Sequence, residues 1–138
     1  MSKKINDFTT HYYKDCDYNC CETTLWAIRD AWDLDIPDGA FKLTSGFGGG
    51  CCNGDICGAI AAGVMGYSYV YTTDRAHASP DMRKRCKMLM QKLEEKFGSC
   101  RCDYLKANYR DDVEGCLVVV KMIADVIDEL KDAELPED

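Results

Sequence analysis

The stretch SPDMRKRCKMLMQKLEEKFG, residues 79–98, indicates most clearly which fold this chain adopts. Its apolar side chains recur at intervals of three and four residues and most other positions are charged, the pattern of an amphipathic α-helix. Ser79 is a suitable N-cap, Pro80 suits the first helical position, and Gly98 is a typical stop. The stretch therefore predicts a helix with one buried stripe, formed by Met82, Cys86, Leu89, Leu93 and Phe97.

Helical periodicity continues on both sides of this stretch. Residues 19–32 are apolar at helical spacing, and Asn19 and Glu22 are placed as a capping box. Asp111 and Asp112 are placed as acidic residues at the start of a last helix, where they favour the helix dipole. Three further helices are predicted, over residues 36–47, 55–67 and 113–130. The first has room only for a short helix, and the second is rich in small side chains.

One stretch has a different pattern. Residues 67–73 alternate aromatic or apolar side chains with Ser and Thr, which is typical of a strand. A single strand makes no sheet, so the sequence predicts an all-α fold. We expect a single-domain bundle of about five helices spanning residues 1–138, with a glycine- and cysteine-rich loop at residues 46–54.

Length and composition limit the role of the cysteines. A chain of 138 residues with 46% hydrophobic content can bury a core of its own, so its ten cysteines are not needed as disulfide staples. Residues 1–7 contain no apolar h-region, and no apolar run approaches the roughly 20 residues of a membrane span. The sequence therefore predicts a cytoplasmic protein without a membrane partner, where clustered cysteines point to metal binding or catalysis.

Net charge narrows the choice of partner. The formal charge is −7, whereas a protein that binds a phosphate backbone needs a basic surface. A nucleic-acid partner is therefore not expected. A basic redox partner protein suits this charge, and a homodimer is also compatible with the sequence.

The cysteine spacing matches no standard motif. No two cysteines are three residues apart, which excludes the C-x-x-C signature of zinc ribbons, thioredoxins and covalent haem sites. The plant-ferredoxin spacing is absent because the position three residues after Cys57 is Ile60. Any metal ligands must therefore come from separate segments and meet only in the folded chain.

Some residues can be interpreted individually. Cys20 falls in the first turn of a predicted helix, where free N–H groups and the dipole stabilise a thiolate. Cys86 lies on an apolar stripe and is expected to pack in the core, whereas Cys16 and His11 are expected to be surface groups. The glycine run 46–50 lacks the residues of a nucleotide-binding loop. We expect its backbone N–H groups, at Gly48, Gly49 and Gly50, to face sulfur atoms.

The chain resembles a known family in an ordered set of short motifs. These are Tyr18-Asn19-Cys20, Ser45-Gly46-Phe47-Gly48-Gly49-Gly50, Cys57-Gly58-Ala59, Phe97-Gly98-Ser99 leading to Cys102, and Cys116 before an apolar helix. In this order, over residues 18–130, they resemble the small redox-active proteins named for their C-GCAxxG-C-C pattern. The resemblance implies redox chemistry, which also fits a similar domain that accompanies the haem part of split-Soret-type cytochromes.

By position, the resemblance implies that the family's four defining cysteines are Cys20, Cys57, Cys102 and Cys116. This chain departs from the pattern at Ala62, where the family has glycine, with Gly63 one place later. It also has additional cysteines close to the implied set, and we expect these to be further ligands of a larger or second centre. They are Cys51, Cys52 and Cys100.

The resulting hypothesis is an iron–sulfur electron-transfer protein of anaerobic metabolism, an electron carrier more than an enzyme. Thiolate-rich sites select iron–sulfur clusters, zinc or Cu(I), and the redox associations of the family disfavour zinc. Two alternatives stay open. One is a thiol–disulfide oxidoreductase in which Cys20 attacks and a second cysteine resolves; the other is a structural zinc or metal-handling protein.

Overall fold

The computed structural model describes residues 3–136, and over that range the chain forms five α-helices and no β-strand. The predicted all-α fold is therefore confirmed. The first two and last two residues of the predicted domain 1–138 lie outside the described residues. None of the described helices is long and apolar enough to cross a membrane. The helices are α1 (Cys20–Trp32), α2 (Gly58–Tyr71), α3 (Pro80–Phe97), α4 (Cys102–Tyr109) and α5 (Leu117–Leu130).

Helix α2 lies at the centre and packs against α1, α3 and α5. Its small residues allow this close packing. A Cβ atom on Gly63 would lie 2.7 Å from Cδ1 of Ile127 in α5, and one on Gly66 would lie 3.1 Å from Cγ2 of Ile28 in α1. The glycines thus let two helices approach the backbone of α2.

Two helices begin or end as their local sequence predicts. At the start of α1, the Asn19 side chain accepts a hydrogen bond from the Glu22 N–H at 3.0 Å, and the Glu22 carboxylate accepts one from the Asn19 N–H at 3.0 Å. At the end of α3, Gly98 has a φ of +93°, a left-handed conformation that glycine adopts without strain. Capping chemistry therefore fixes both boundaries.

The strand-like interpretation of residues 67–73 is wrong, because α2 continues to Tyr71. Tyr67 and Tyr71 are four residues apart on one helix face, with ring centroids 5.8 Å apart, whereas Tyr69 is 44% exposed. Tyrosines at every second position, 67, 69 and 71, place the first and the last four residues apart, which is also a helical spacing. Buried and exposed tyrosines on one helix therefore imitated the alternation of a strand.

The predicted starts of two other segments also need correction. The last helix begins at Leu117, and Asp111 belongs to a turn in which its carboxylate accepts hydrogen bonds from the N–H groups of Val113 and Glu114 at 3.0 and 2.6 Å. Residues 36–47 contain the predicted short helix, which is a 3₁₀ helix that begins at Asp38 and ends at Phe47. Helix α4 has no counterpart among the predicted segments.

Replacing Tyr67 with phenylalanine should reduce the free energy of unfolding by about 1 kcal/mol. The Tyr67 hydroxyl is buried and donates a 2.7 Å hydrogen bond to the carbonyl of Ile127, which joins α2 to α5. Tyr69→Phe, on the exposed side of the same helix, is the matched control and should change stability by less than about 0.5 kcal/mol. Urea unfolding measures both; equal effects would mean that the buried hydrogen bond contributes no more than the exposed one from the Tyr69 hydroxyl to Asp35.

Candidate functional site

Four cysteines lie at the N-terminal ends of four different helices. Cys20 is the first residue of α1 and Cys102 the first residue of α4, while Cys57 and Cys116 immediately precede α2 and α5. The first backbone N–H groups of a helix have no partner within the helix, and the dipole makes this end positive. Each thiol is therefore placed beside backbone N–H groups that can offset part of the cost of negative charge on a buried sulfur.

These four cysteines line a single cavity of about 360 Å³. Cys57 and Cys102 are buried, with 4% and 5% of their surface exposed, and Cys20 and Cys116 are half-buried. The cavity wall is completed by polar and apolar residues. The polar ones are Tyr13, Asp17, Tyr18, Asn19 and Lys106, and the others are Gly49, Leu105 and Val119.

Backbone pairing holds two of the cysteines together. Ile56 and Arg101 form an isolated antiparallel bridge, in which the Cys57 N–H donates to the Cys100 carbonyl at 2.9 Å. The Cys102 N–H donates to the Asp55 carbonyl at 2.5 Å. This pairing fixes the start of α2 beside the start of α4 although 45 positions separate Cys57 from Cys102 (102 − 57).

The glycine run packs around Cys20 and Cys102. The backbone N–H groups of Gly49 and Gly58 interact with the Cys20 sulfur and lower the pKa of its thiol. Gly50 has a φ of +67°, and a Cβ on it would overlap the backbone N of Asp55 and lie 2.6 Å from Cβ of Cys102. Gly48 has no such contact with sulfur: it packs against the side chain of Asn19. Of the three predicted glycines, Gly49 therefore faces a sulfur directly.

Burial raises the pKa values of three of the four thiols. Burial is the largest cause for each, raising the pKa of Cys57 to about 12 and those of Cys20 and Cys102 above their ordinary value. Neighbouring cysteines add to the increase, because two thiolates in one cavity repel each other. Backbone N–H groups at Cys20 and the Lys106 ammonium near Cys102 lower these pKa values, but by less. The cavity thus favours neutral thiols unless a cation enters it.

The structure does not bring the three additional cysteines into this cavity. Cys51 and Cys52 are exposed, and the Cys52 thiol is 3.7 Å from the Gly46 carbonyl. The Cys100 thiol faces the Met90 carbonyl at 3.7 Å, toward α3. Their predicted role as further ligands therefore has no support from their position.

Tyr13 and Lys106 are among the cavity residues that were not singled out from the sequence. The Tyr13 hydroxyl accepts a 3.2 Å hydrogen bond from the Cys116 N–H, which fixes this hydroxyl beside the cavity. Lys106 lies one turn after Cys102 on α4, so both side chains reach the same wall. Recognising α4 would have revealed Lys106 by this spacing, whereas nothing in the sequence points to Tyr13.

Comparison with known proteins supports a redox role for the chain. A family model described as "Putative redox-active protein (C_GCAxxG_C_C)" matches residues 18–130, a range that holds all four cavity cysteines. No curated protein and no solved structure matches the chain.

Proposed function

The chain belongs to the C_GCAxxG_C_C family of redox-active proteins, and on this premise we propose that it transfers electrons through an iron–sulfur cluster held by Cys20, Cys57, Cys102 and Cys116. The observation that carries the proposal is that these four thiols, each from a different helix N-terminus, line one cavity. Four thiolates are the usual complement of ligands for one [2Fe–2S] or [4Fe–4S] cluster. When bound, such a cluster accepts and releases single electrons.

The surroundings of the thiols suit a group that carries negative charge on sulfur. Four helix N-termini and the Lys106 ammonium contribute positive potential around the cavity, against the negative charge of the Asp17 carboxylate in its wall. The Gly49 and Gly58 N–H groups donate to the Cys20 sulfur, and hydrogen bonds of this kind raise the reduction potential of iron–sulfur clusters. Leu105 and Val119 contribute apolar surface to the cavity, which reduces contact with water.

A single zinc ion suits this geometry less well. Tetrahedral zinc needs all of its sulfur ligands at about 2.3 Å from one point. Among residues 3–136, no three or more His, Cys, Asp or Glu side chains are grouped closely enough to hold one ion. The cavity of about 360 Å³ that the four thiols line has room for a group of several atoms.

The raised thiol pKa values argue against Cys20 as the attacking group of a thiol–disulfide oxidoreductase. Such an enzyme needs a thiolate at neutral pH, whereas burial raises the pKa of Cys20. A bound cation has the opposite effect on the same thiol, because coordination removes the proton outright. The cavity therefore fits metal coordination better than nucleophilic attack.

Anaerobic purification followed by visible absorption and by iron and sulfide analysis tests the proposal. We expect a brown protein that contains iron and acid-labile sulfide in comparable amounts. A colourless protein that contains zinc, or no metal after anaerobic reconstitution with iron and sulfide, would exclude the cluster.

Removing the centre should lower the melting temperature by at least about 10 °C, equivalent to roughly 3 kcal/mol in a chain of this size. The reason is that thiolates from four helices are joined through one group, so the free energy of binding contributes to the free energy of folding. Differential scanning calorimetry of the holo and the chelated, fully reduced protein measures the shift. Equal melting temperatures would show that the fold does not depend on the centre.

A further inference from the structure

Three side chains near the start of the chain form a relay outside the four-cysteine cavity. The Cys16 sulfur lies 3.7 Å from Nε2 of His11, and Nδ1 of the same ring lies 3.1 Å from Oδ2 of Asp15. A thiol, an imidazole and a carboxylate in this order are the components of an activated cysteine nucleophile. None of the three lines the cavity.

A local distortion of the helix creates this arrangement. Residues His11–Asp15 form a π-helix, in which the Cys16 N–H donates to the His11 carbonyl five residues earlier at 3.2 Å. In a regular α-helix the neighbours of His11 on its face would be the residues three and four positions later. The wider π turn brings the residue five positions later beside the ring as well, and such turns occur frequently at functional sites.

The contacts of the imidazole define its role. The ionised Asp15 carboxylate can only accept hydrogen bonds, so Nδ1 of His11 is the protonated nitrogen that donates to it. Nε2 is then unprotonated and can accept the Cys16 proton. The ring also packs edge-on against Tyr12, with centroids 5.0 Å apart, which limits its rotation. The neighbouring Lys14 ammonium is paired with the Glu114 carboxylate at 2.6 Å.

We propose that Cys16 is a redox-active thiol, separate from the four-cysteine cavity, which undergoes exchange with low-molecular-weight disulfides. His11 Nε2 takes the Cys16 proton, and the thiolate attacks one sulfur of the disulfide R–S–S–R. The new Cys16–S–S–R bond forms as the S–S bond of the reagent breaks, and the leaving thiolate takes the proton from His11 to become R–SH. Asp15 is a positioning residue, which holds the ring in the orientation that this transfer needs.

The site is accessible to such a reagent. The side chains of His11 and Asp15 are 59% and 72% exposed, and Cys16 is half-buried. Cys52 is an internal control, because it is more exposed than Cys16 but its thiol faces the carbonyl of Gly46. A carbonyl oxygen accepts a hydrogen bond but does not take up the thiol proton at neutral pH. If exposure decides the reaction rate, Cys52 reacts faster; if the relay decides it, Cys16 reacts faster.

The test uses the full-length reduced protein under anaerobic conditions, with glutathione disulfide as the probe. Peptide mass mapping over time gives the rates of modification at Cys16 and Cys52 in the same sample. We expect Cys16 to react at least fivefold faster than Cys52 at pH 7. Equal rates, or a faster reaction at Cys52, would overturn the proposal without any variant being required.

Variants separate the relay from general exposure. His11→Ala should reduce the Cys16 rate to that of Cys52 and leave the Cys52 rate unchanged, and Asp15→Asn should have a smaller effect in the same direction. Added imidazole should restore the Cys16 rate in His11→Ala, which a merely structural role of His11 would not allow. An unchanged Cys16 rate in His11→Ala, or no recovery with imidazole, would contradict the proposed proton transfer.

Discussion

Serine in place of Cys57 is expected to abolish the visible absorption of the anaerobically purified protein. Cys57 is 4% exposed, immediately precedes α2 and lines the cavity. Its side chain is therefore held in one place, beside the proposed cluster. A hydroxyl is a poor substitute for a soft thiolate. Loss of an outer partner of a metal ligand already costs about 10–100-fold in affinity, so loss of the ligand itself should exceed about 100-fold. Iron per chain after reconstitution is the direct measurement.

Cys86→Ser is the matched control for this change. The Cys86 thiol is directed at the Met82 sulfur, 3.8 Å away, on α3 and not at the cavity. The serine hydroxyl should cost about 1–3 kcal/mol of stability through burial, with an unchanged absorption spectrum. Absorption that is lost with Cys86 and retained without Cys57 would reverse the assignment of the site. Serine at Cys20, Cys102 or Cys116 should reproduce the Cys57 result.

The elements that sequence alone predicted are those whose limits depend on local chemistry. Helices α1 and α3 are amphipathic over several turns and carry a cap at Asn19 and a stop at Gly98. Helix α4 has eight residues, too few for a clear periodicity, and its start depends on the hydrogen bond from the Cys102 N–H to the distant Asp55 carbonyl. A contact that the fold itself creates cannot be read from a local pattern.

The candidate site was predictable only through the family resemblance, because the cysteine spacing matches no motif. Proximity in sequence was a poor guide to the additional ligands. Cys51 and Cys52 have left-handed φ values of +59° and +57° and are exposed on the loop. Cys100 contributes its carbonyl to the pairing with Cys57, while its thiol faces α3. A larger or second centre that includes these thiols stays a prediction from the sequence.

The contact between Cys16 and His11 could also not be predicted from the sequence. The sequence places His11 and Cys16 five residues apart, a spacing that predicts no contact on an α-helix. The π turn brings the two residues into contact, and no residue type in this segment predicts such a turn. Both residues were therefore expected to be separate surface groups.

Gly58→Ala is expected to disrupt the cavity, although helix propensity predicts the opposite. Alanine at an unhindered helical position is favoured over glycine by about 1 kcal/mol. At Gly58, however, a Cβ would lie 2.6 Å from the Cys20 sulfur and 2.9 Å from the Phe47 carbonyl oxygen. The carbonyl belongs to the backbone and cannot yield easily, so the sulfur must move away from the N–H groups that donate to it. We expect destabilisation of about 1–3 kcal/mol and loss of bound iron.

Gly46→Ala isolates the effect of the clash, because a Cβ on Gly46 would have no atom within 4 Å. We expect it to retain the spectrum and to change stability by less than about 0.5 kcal/mol. Urea unfolding of both metal-free variants separates the steric cost from the contribution of the centre, and iron content after reconstitution then reports on the site. If Gly58→Ala is as stable as wild type and binds as much iron, the close approach of α2 to Cys20 does not shape the site. If it is less stable and loses iron while Gly46→Ala does neither, glycine is required at this position because the ligand sulfur occupies the space of a side chain.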